Sequence, residues 1–297
     1  MKRIFIGIGA AVLAVLIAGL ALLPGVLEGQ INRIVDGVPI DITEEARARH
    51  GELAVVDLHA DTLLWARDPL DRADRGHVDL PRLVDGNVTL QVFSVVTKVP
   101  RDQRYTGTSG DSDVITLLAM VQRWPARTWD SLFERALYQA EKLHRAEDAA
   151  SGDLTIVRSA ADIDRLIAAR GDGNRPVGGL LATEGSHPLE GRIENVEMLY
   201  AAGYRMMGLT HCFDNELGGS LHGLSGEGLT DFGREAVREM ERLNIIVDLA
   251  HASPAVVRDT LDIATRPVVV SHTGIRGSSC IPPHLLVSLC NPTTPHP

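Results

Sequence analysis

The sequence VGGLLATEG, at residues 177–185, runs from an apolar segment straight into a glutamate. The apolar residues predict a buried strand that ends just before Glu184. The same arrangement recurs downstream, where residues 205–209, 245–249 and 268–271 are strand-like and a histidine follows each within two residues. Four strands that each lead to a histidine or a carboxylate set the fold class, and the remaining chain is best interpreted around them.

Amphipathic segments separate these strands. Residues 193–202 and 230–243 predict helices, the second capped by Thr230, and Ser253 with Pro254 is typical of a helix start. The N-terminal half alternates in the same way, with predicted strands at 54–58, 89–96 and 155–157 and helices at 111–149, broken at Pro125, and 160–169. Alternating strands and helices indicate an α/β fold with a parallel sheet covered by helices.

A further polar cluster follows the first predicted strand, in the sequence Asp57-Leu58-His59-Ala60-Asp61. Because side chains alternate along a strand, Asp57, His59 and Asp61 share one face. A histidine and a carboxylate two residues apart can bind one metal ion. His59 and Asp61 are therefore candidate metal ligands.

In a barrel of parallel strands the carboxyl ends meet at one mouth. The side chains at these ends would then project into one cavity; they are His59, Asp61, Glu184, His211, His251 and His272. Neutral imidazoles with carboxylates suit zinc. A carboxylate shared by two ions would suit a two-metal site that holds a bridging hydroxide.

A single histidine at a strand end is more often structural. Five histidine or carboxylate residues at the ends of successive strands are hard to obtain by accident. Asp57 and Asp248 are interpreted as structural residues or partners that support the ligands, and His187, three residues after Glu184, is a weaker candidate for a supporting role. The other histidines are assigned to surface or loop positions; they are His50, His77, His144, His222, His284 and His296.

The composition is that of a globular protein, with 44% hydrophobic and 23% charged residues. The net charge of −10 argues against a nucleic-acid surface. Three cysteines, Cys212, Cys280 and Cys290, are too few for a disulfide framework, although the last two could pair in an oxidising compartment.

The N-terminal segment carries Lys2 and Arg3 before an uncharged apolar run at residues 4–27. A run of this length can cross a hydrocarbon core of about 30 Å, and it exceeds the apolar core of an ordinary signal peptide. We therefore expect residues 1–28 to be a single-pass transmembrane anchor, with the catalytic part on the periplasmic or extracellular side of the cell membrane. Cleavage as a signal segment is the alternative, and it would give a secreted protein. Residues 29–52 are interpreted as a tether and a leading helix.

Several stretches between about residues 53 and 279 resemble the membrane dipeptidase (renal dipeptidase, peptidase M19) family. The matching stretches occur in the family's order and spacing; they are residues 56–61, 76–83, 184–185, 199–211 with Asn215, 228–233, 247–253 and 271–273. The resemblance implies a (β/α)8 TIM-like metallo-hydrolase barrel with two zinc ions that hydrolyses dipeptides, often with a D-residue at the C-terminal position.

The resemblance also implies individual roles. His59 and Asp61 match ligands of one zinc, His251 and His272 match ligands of the other, and Glu184 matches the carboxylate that bridges them. His211 matches the histidine that contacts the substrate and stabilises charge on its carbonyl oxygen. Glu184 and His211 are thus the predicted catalytic residues.

The C-terminal region departs from the family pattern. Residues 268–271 correspond to the sixth barrel strand, so we expect an incomplete barrel at residues 53–279 that lacks its last two strands and the family's proton-transferring aspartate. In place of the family's substrate-gripping arginine the sequence has Pro282-Pro283-His284, and Arg276 is out of register. The atypical tail, residues 280–297, suggests a frameshift near Ser279. A barrel without these parts would fold poorly and have little activity.

Two alternative functions stay open from the sequence. One is another metal-dependent amidohydrolase on the same barrel, because barrel chemistry varies through its loops. The other is a non-catalytic, membrane-anchored metal-binding protein. The expected partners are a dipeptide substrate and, through the N-terminal helix, a membrane, with no nucleic acid; a homodimer is left open.

Overall fold

The computed structural model describes residues 2–35, 37, 40–105, 107–171 and 175–274. The helices are α1 (Lys2–Ile31), α2 (Glu44–Glu52), α3 (Leu80–Asp85), α4 (Ile115–Val121), α5 (Leu132–Ala149), α6 (Ala160–Gly171), α7 (Glu194–Ala201), α8 (Asp231–Arg242) and α9 (Pro254–Ile263). The strands are β1 (Val55–Ala60), β2 (Val88–Val95), β3 (Leu154–Ile156), β4 (Val177–Thr183), β5 (Tyr204–Gly208) and β6 (Ile246–Asp248).

The six strands form one sheet in which every pairing is parallel, in the order β1-β2-β4-β5-β6, with β3 paired to the start of β4. The α/β fold predicted from the alternation is confirmed as a parallel-strand half-barrel. The predicted strand at 268–271 is reduced to a single parallel bridge between Val269 and Asp248. Its backbone is still held against β6, because Val269 exchanges hydrogen bonds with Val247 and Leu249.

The two faces of the sheet bury different sets of side chains. Leu181 and Met207 belong to the large core that contains the helix residues Leu143 and Val237. Leu180, which points the opposite way from Leu181, belongs to a separate cluster on the inner face; its other buried members are Val92, Ala182 and Met206. Glu184 follows Ala182 by two residues, so the alternation directs its side chain to the inner face.

Local signals account for the element boundaries. The helices α8 and α9 are capped by Thr230 and Ser253, whose hydroxyls accept hydrogen bonds from the backbone N–H three residues on. Pro125 lies between α4 and α5, as the predicted break requires. Gly203 ends α7 with φ of +108°, a conformation that favours glycine.

The predicted anchor, residues 1–28, coincides with α1. Within the described residues no helix combines the length and apolar character needed to cross a bilayer, so the predicted transmembrane helix has no support from the structure. The predicted leading helix corresponds to α2. The tail at 280–297, with Cys280 and Cys290, lies outside the described residues, as do Arg276, His284 and His296. Cys212 is a buried free thiol.

Candidate metal centre

The predicted ligands all lie at or just beyond the carboxyl ends of strands. His59 lies in β1 and Asp61 directly after it, and Glu184 is the first residue after β4. His211 and His251 each stand three residues after the end of β5 and β6, and His272 stands three residues after the bridge at Val269. Because parallel strands end at one edge, this repeated offset brings the side chains together.

Glu184 is the centre of the cluster. Its Oε1 lies 3.1 Å from Nε2 of His251, 3.5 Å from Nε2 of His59 and 3.6 Å from Nε2 of His272. Its Oε2 lies 3.4 Å from Nε2 of His211. One carboxylate therefore faces four imidazole nitrogens, and its side chain is only 8% exposed.

The donor atoms fit zinc in kind and in spacing. Oxygen or nitrogen ligands at about 2.0–2.1 Å in a tetrahedron lie about 3.3 Å from one another. The donor atoms form two sets, and within each set all atoms lie within 4.8 Å of one another. The first set comes from His59, Glu184 and His272, and the second from Glu184, His211 and His251. Asp61 belongs to neither set, but its Oδ1 lies 3.3 Å from Nε2 of His59, a member of the first. Glu184 is common to both sets, whereas His272 groups with His59 and His251 with His211.

The protonation of the cluster follows from burial and crowding. Burial lowers the pKa of His211 to about 4, and burial with the neighbouring His59 does the same for His272. Burial opposes the charge on His59, but the hydrogen bond and charge of Asp61 outweigh it and raise that pKa to about 9. Neutral imidazoles at His211 and His272 keep the lone pairs that a metal ion needs.

The two carboxylates shift in opposite directions. Burial and the nearby charge of Glu184 raise the pKa of Asp61 to about 6. Burial also opposes ionisation of Glu184, but His211 and the other imidazoles outweigh it and hold its pKa well below the usual range. Glu184 is therefore an anion at neutral pH, as a shared ligand must be.

A hydrogen-bonded chain orients His272. Asp248 accepts from the hydroxyl of Ser271 at 2.5 Å and from its backbone N–H at 3.0 Å, and the same hydroxyl lies 3.0 Å from Nδ1 of His272. The predicted supporting role of Asp248 is visible in these contacts. Sequence reasoning missed Ser271, although its place directly before a candidate ligand was a usable signal. Asp57, the other predicted support, accepts from the backbone N–H of His59 at 3.1 Å.

The backbone around the cluster is constrained. His251 has φ of +62°, a left-handed conformation that is uncommon for a residue other than glycine. Gly185 has φ of +80°, and a Cβ there would lie 2.5 Å from the ring of His187 and 3.1 Å from Cβ of His211. Only a glycine after Glu184 lets these two rings pack beside the site.

Two further histidines are buried beside the cluster. His187 is 3% exposed with no hydrogen bond to either ring nitrogen among the described residues, and its ring packs 4.4 Å from that of Phe213. It therefore packs near the ligands and does not orient them through a hydrogen bond. His222, predicted to be a surface or loop residue, is 9% exposed, and its Nδ1 lies 2.7 Å from the carbonyl of Tyr105. It lies in the loop after β5, as predicted, but it is buried there, which local sequence does not reveal.

Comparison with known proteins identifies the family. The family model described as membrane dipeptidase (peptidase family M19) matches residues 43–284. The chain belongs to this family. The resemblance inferred from the strand-end motifs is confirmed.

Individual relatives agree with this assignment. Dipeptidase tcpJ of Claviceps purpurea is 26% identical over 83% of this chain and 54% of its own length. Dipeptidase 3 of Mus musculus is 27% identical over 79% of this chain and 44% of its own length. This member of the M19 family spans about half the length of the curated relatives it matches.

Solved structures share the fold. A metallopeptidase from Rhodobacter sphaeroides, liganded with a phosphinate mimic of the dipeptide L-Ala-D-Ala, gives a TM-score of 0.60 at 24% identity, covering 78% of this chain and 67% of that one. The probable dipeptidase PvdM from Pseudomonas aeruginosa gives 0.62 at 16% identity, covering 80% and 57%. At these identities the likeness concerns the fold alone.

Proposed function

We propose that this M19 family member is a zinc-dependent dipeptidase with two metal ions. The observation that carries the proposal is the position of Glu184, whose carboxylate lies within 3.6 Å of four imidazole nitrogens. A buried carboxylate so surrounded is suited to hold two cations at once. The relatives named as dipeptidases support the reaction class.

The proposed ligands are His59 and Asp61 for one ion, His251 and His272 for the other, and Glu184 for both. Such a pair of ions would lower the pKa of a bound water and polarise the scissile carbonyl. Asp61 and His272 are the most exposed side chains of the cluster, at 35% and 36%. We therefore place the substrate on their side of the cluster.

His211 is proposed to contact the substrate. Burial keeps its imidazole neutral at pH 7, since the pKa is lowered to about 4. A neutral imidazole can donate one N–H to an oxygen that gains negative charge during peptide hydrolysis. Donors of this kind, held ready in a buried site, contribute about 10²–10³-fold to rate.

Membrane attachment and an outward-facing catalytic part are also proposals. They rest on Lys2 and Arg3 before the uncharged run at residues 4–27. Alkaline carbonate extraction of membranes tests them. Retention of the chain in the membrane pellet supports attachment, and its release into the supernatant contradicts it.

Hydrolysis of L-Ala-L-Ala and L-Ala-D-Ala by the zinc-loaded chain tests the proposed activity. We expect a low turnover that Glu184→Gln abolishes and that His50→Gln, a change outside the cluster, preserves. Zinc bound at two ions per chain without turnover of either dipeptide would contradict the activity and leave a metal-binding protein. The same assay with N-acyl amino acids separates a dipeptidase from an acyl-amide hydrolase.

A further inference from the structure

The last turns of helix α1 are fixed to the catalytic part of the chain. Glu28 is 2% exposed, and its carboxylate forms ion pairs with Nε of Arg67 at 2.9 Å and Nε of Arg75 at 3.4 Å. A buried charge is tolerated only when it is paired, and removing one partner is costly. Glu28 therefore ties α1 to the segment that follows β1.

Further contacts fix the same junction. The backbone N–H of Gly76 donates to the carbonyl of Asn32 at 2.7 Å. The side chain of Arg75 passes so close to Gly25 and Gly29 that a Cβ at either position would lie 3.5 or 3.7 Å from it. The chain just after α1 is thus held against the rim of the sheet at several points.

This junction forms one wall of a cavity of about 400 Å³ that reaches Asp61. Ile31, Asn32 and Arg33 line one side, and Asp61 and Thr62 line another. A cavity of this size is adequate for a small ligand. Since Asp61 is a proposed zinc ligand, the cavity lies beside the proposed metal centre.

The two arginines that line the cavity differ in their contacts. The guanidinium of Arg67 is already bound by Glu28 and by the carbonyl of Val78, at 2.8 Å. Arg33 is exposed and forms no ion pair with any residue that the structure describes. Of these two arginines, Arg33 is the one that can bind a new anion. A dipeptide carries a free carboxylate, for which a guanidinium is the best-matched side chain.

We propose that Arg33 binds the carboxylate of the substrate in the cavity beside Asp61, so that the end of helix α1 is part of the binding site. The proposal rests on the dipeptidase function proposed above. It makes α1 more than an anchor, because Glu28 and its two arginines fix the end of the helix that Arg33 follows. A solvated arginine with no ligand is the alternative.

Calorimetric binding of two probes to the zinc-loaded full chain tests this assignment. The probes are a phosphinate mimic of L-Ala-D-Ala and the same mimic with its carboxylate converted to a carboxamide. We expect Arg33→Ala to weaken the carboxylate probe about tenfold and to leave the carboxamide unchanged. Arg33→Lys should recover part of the loss. Arg47→Ala, an exposed arginine on α2, is the matched control and should bind both probes as the unsubstituted chain does.

The outcomes separate this proposal from the one it rests on. If the unsubstituted chain binds both probes and Arg33→Ala changes neither or weakens both equally, the role of Arg33 is overturned while the dipeptidase proposal stands. If the unsubstituted chain binds neither probe, both are overturned. Glu28→Gln, which loosens the junction, should also weaken the carboxylate probe while the zinc content is unchanged; full affinity in this variant would contradict the role of the docked helix.

Discussion

Nε2 of His251 lies 2.8 Å from Nε2 of His272, and both lie within 3.6 Å of the same oxygen of Glu184. A hydrogen bond between the two rings or a shared cation accounts for this distance. By the proposal both nitrogens bind zinc, and binding of that ion should add to the stability of the fold.

Zinc should therefore stabilise the chain against heat. A ligand at a thousand times its Kd adds about 4 kcal/mol to the free energy of unfolding. We expect chelation to lower Tm, zinc to restore it, and His272→Ala to remove most of the zinc-dependent part. Differential scanning calorimetry with and without zinc measures this. A Tm that does not respond to zinc in the unsubstituted chain would count against the site.

Ser271→Ala should weaken zinc binding without changing the ligands. The hydroxyl of Ser271 links Asp248 to Nδ1 of His272, and loss of such orienting contacts costs about 10–100-fold in metal affinity. A competition titration against a fluorescent zinc chelator measures the effect. Thr273→Ala removes an exposed hydroxyl two residues away and should bind zinc normally. Equal affinity in both variants would show that the link to Asp248 has no role.

Gly185→Ala should disturb the centre through contact as well as backbone strain. Its Cβ would collide with the ring of His187, and its φ of +80° is itself unfavourable for alanine. Gly191→Ala is the control for strain alone, because its φ is +68° and nothing lies within 4 Å of a Cβ there. We expect about 1–3 kcal/mol of lost stability for strain at either position. Only Gly185→Ala should add a further loss and reduce zinc binding, measured by urea unfolding and metal analysis.

His187 should make the metal-free chain sensitive to acid. Burial, and then the charge of His211, lower its pKa from 6.5 to about 3. Between these pH values the unfolded chain binds a proton that the folded chain does not, so stability rises with pH and is lost as pH falls. His187→Leu removes this proton. The difference in the free energy of unfolding between the variant and the unsubstituted chain is the quantity to compare. At pH 4.5 this difference should favour the variant by about 2–3 kcal/mol more than it does at pH 7.

Urea unfolding of EDTA-treated protein at pH 7 and pH 4.5 measures the effect of His187. Removal of metal avoids a contribution from ligand protonation coupled to zinc release. His50→Leu, at a partly exposed histidine, is the control and should show no comparable gain. The same pH dependence in the His187→Leu variant and the unsubstituted chain would contradict the prediction.

The sequence predicted the centre because its residues obey a simple rule. Glu184, His211, His251 and His272 each follow a recognisable strand, and parallel strands end at one edge. The support of His272 by Ser271 depends on how Val269 registers with β6, which no local pattern encodes. The burial of Glu28 likewise depends on Arg67 and Arg75, about 40 to 50 residues away.

The strand boundaries show the same limit. The β-branched segment at 268–271 predicts a full strand, but the described residues give it one bridge to Asp248. A strand is defined by its pairing with a neighbour, and this segment pairs with β6 at a single position. The burial of His222 could not be predicted for a related reason, because the fold of the loop after β5 and not its own sequence buries it.

Zinc analysis of the purified chain tests the account most directly. After gel filtration in zinc-buffered solution, inductively coupled plasma mass spectrometry should find two zinc ions per unsubstituted chain. Glu184→Gln should lose both or retain at most one, because its carboxylate is proposed to serve both ions, whereas His50→Gln should retain two. A zinc content in the unsubstituted chain no higher than in Glu184→Gln would contradict the two-metal centre.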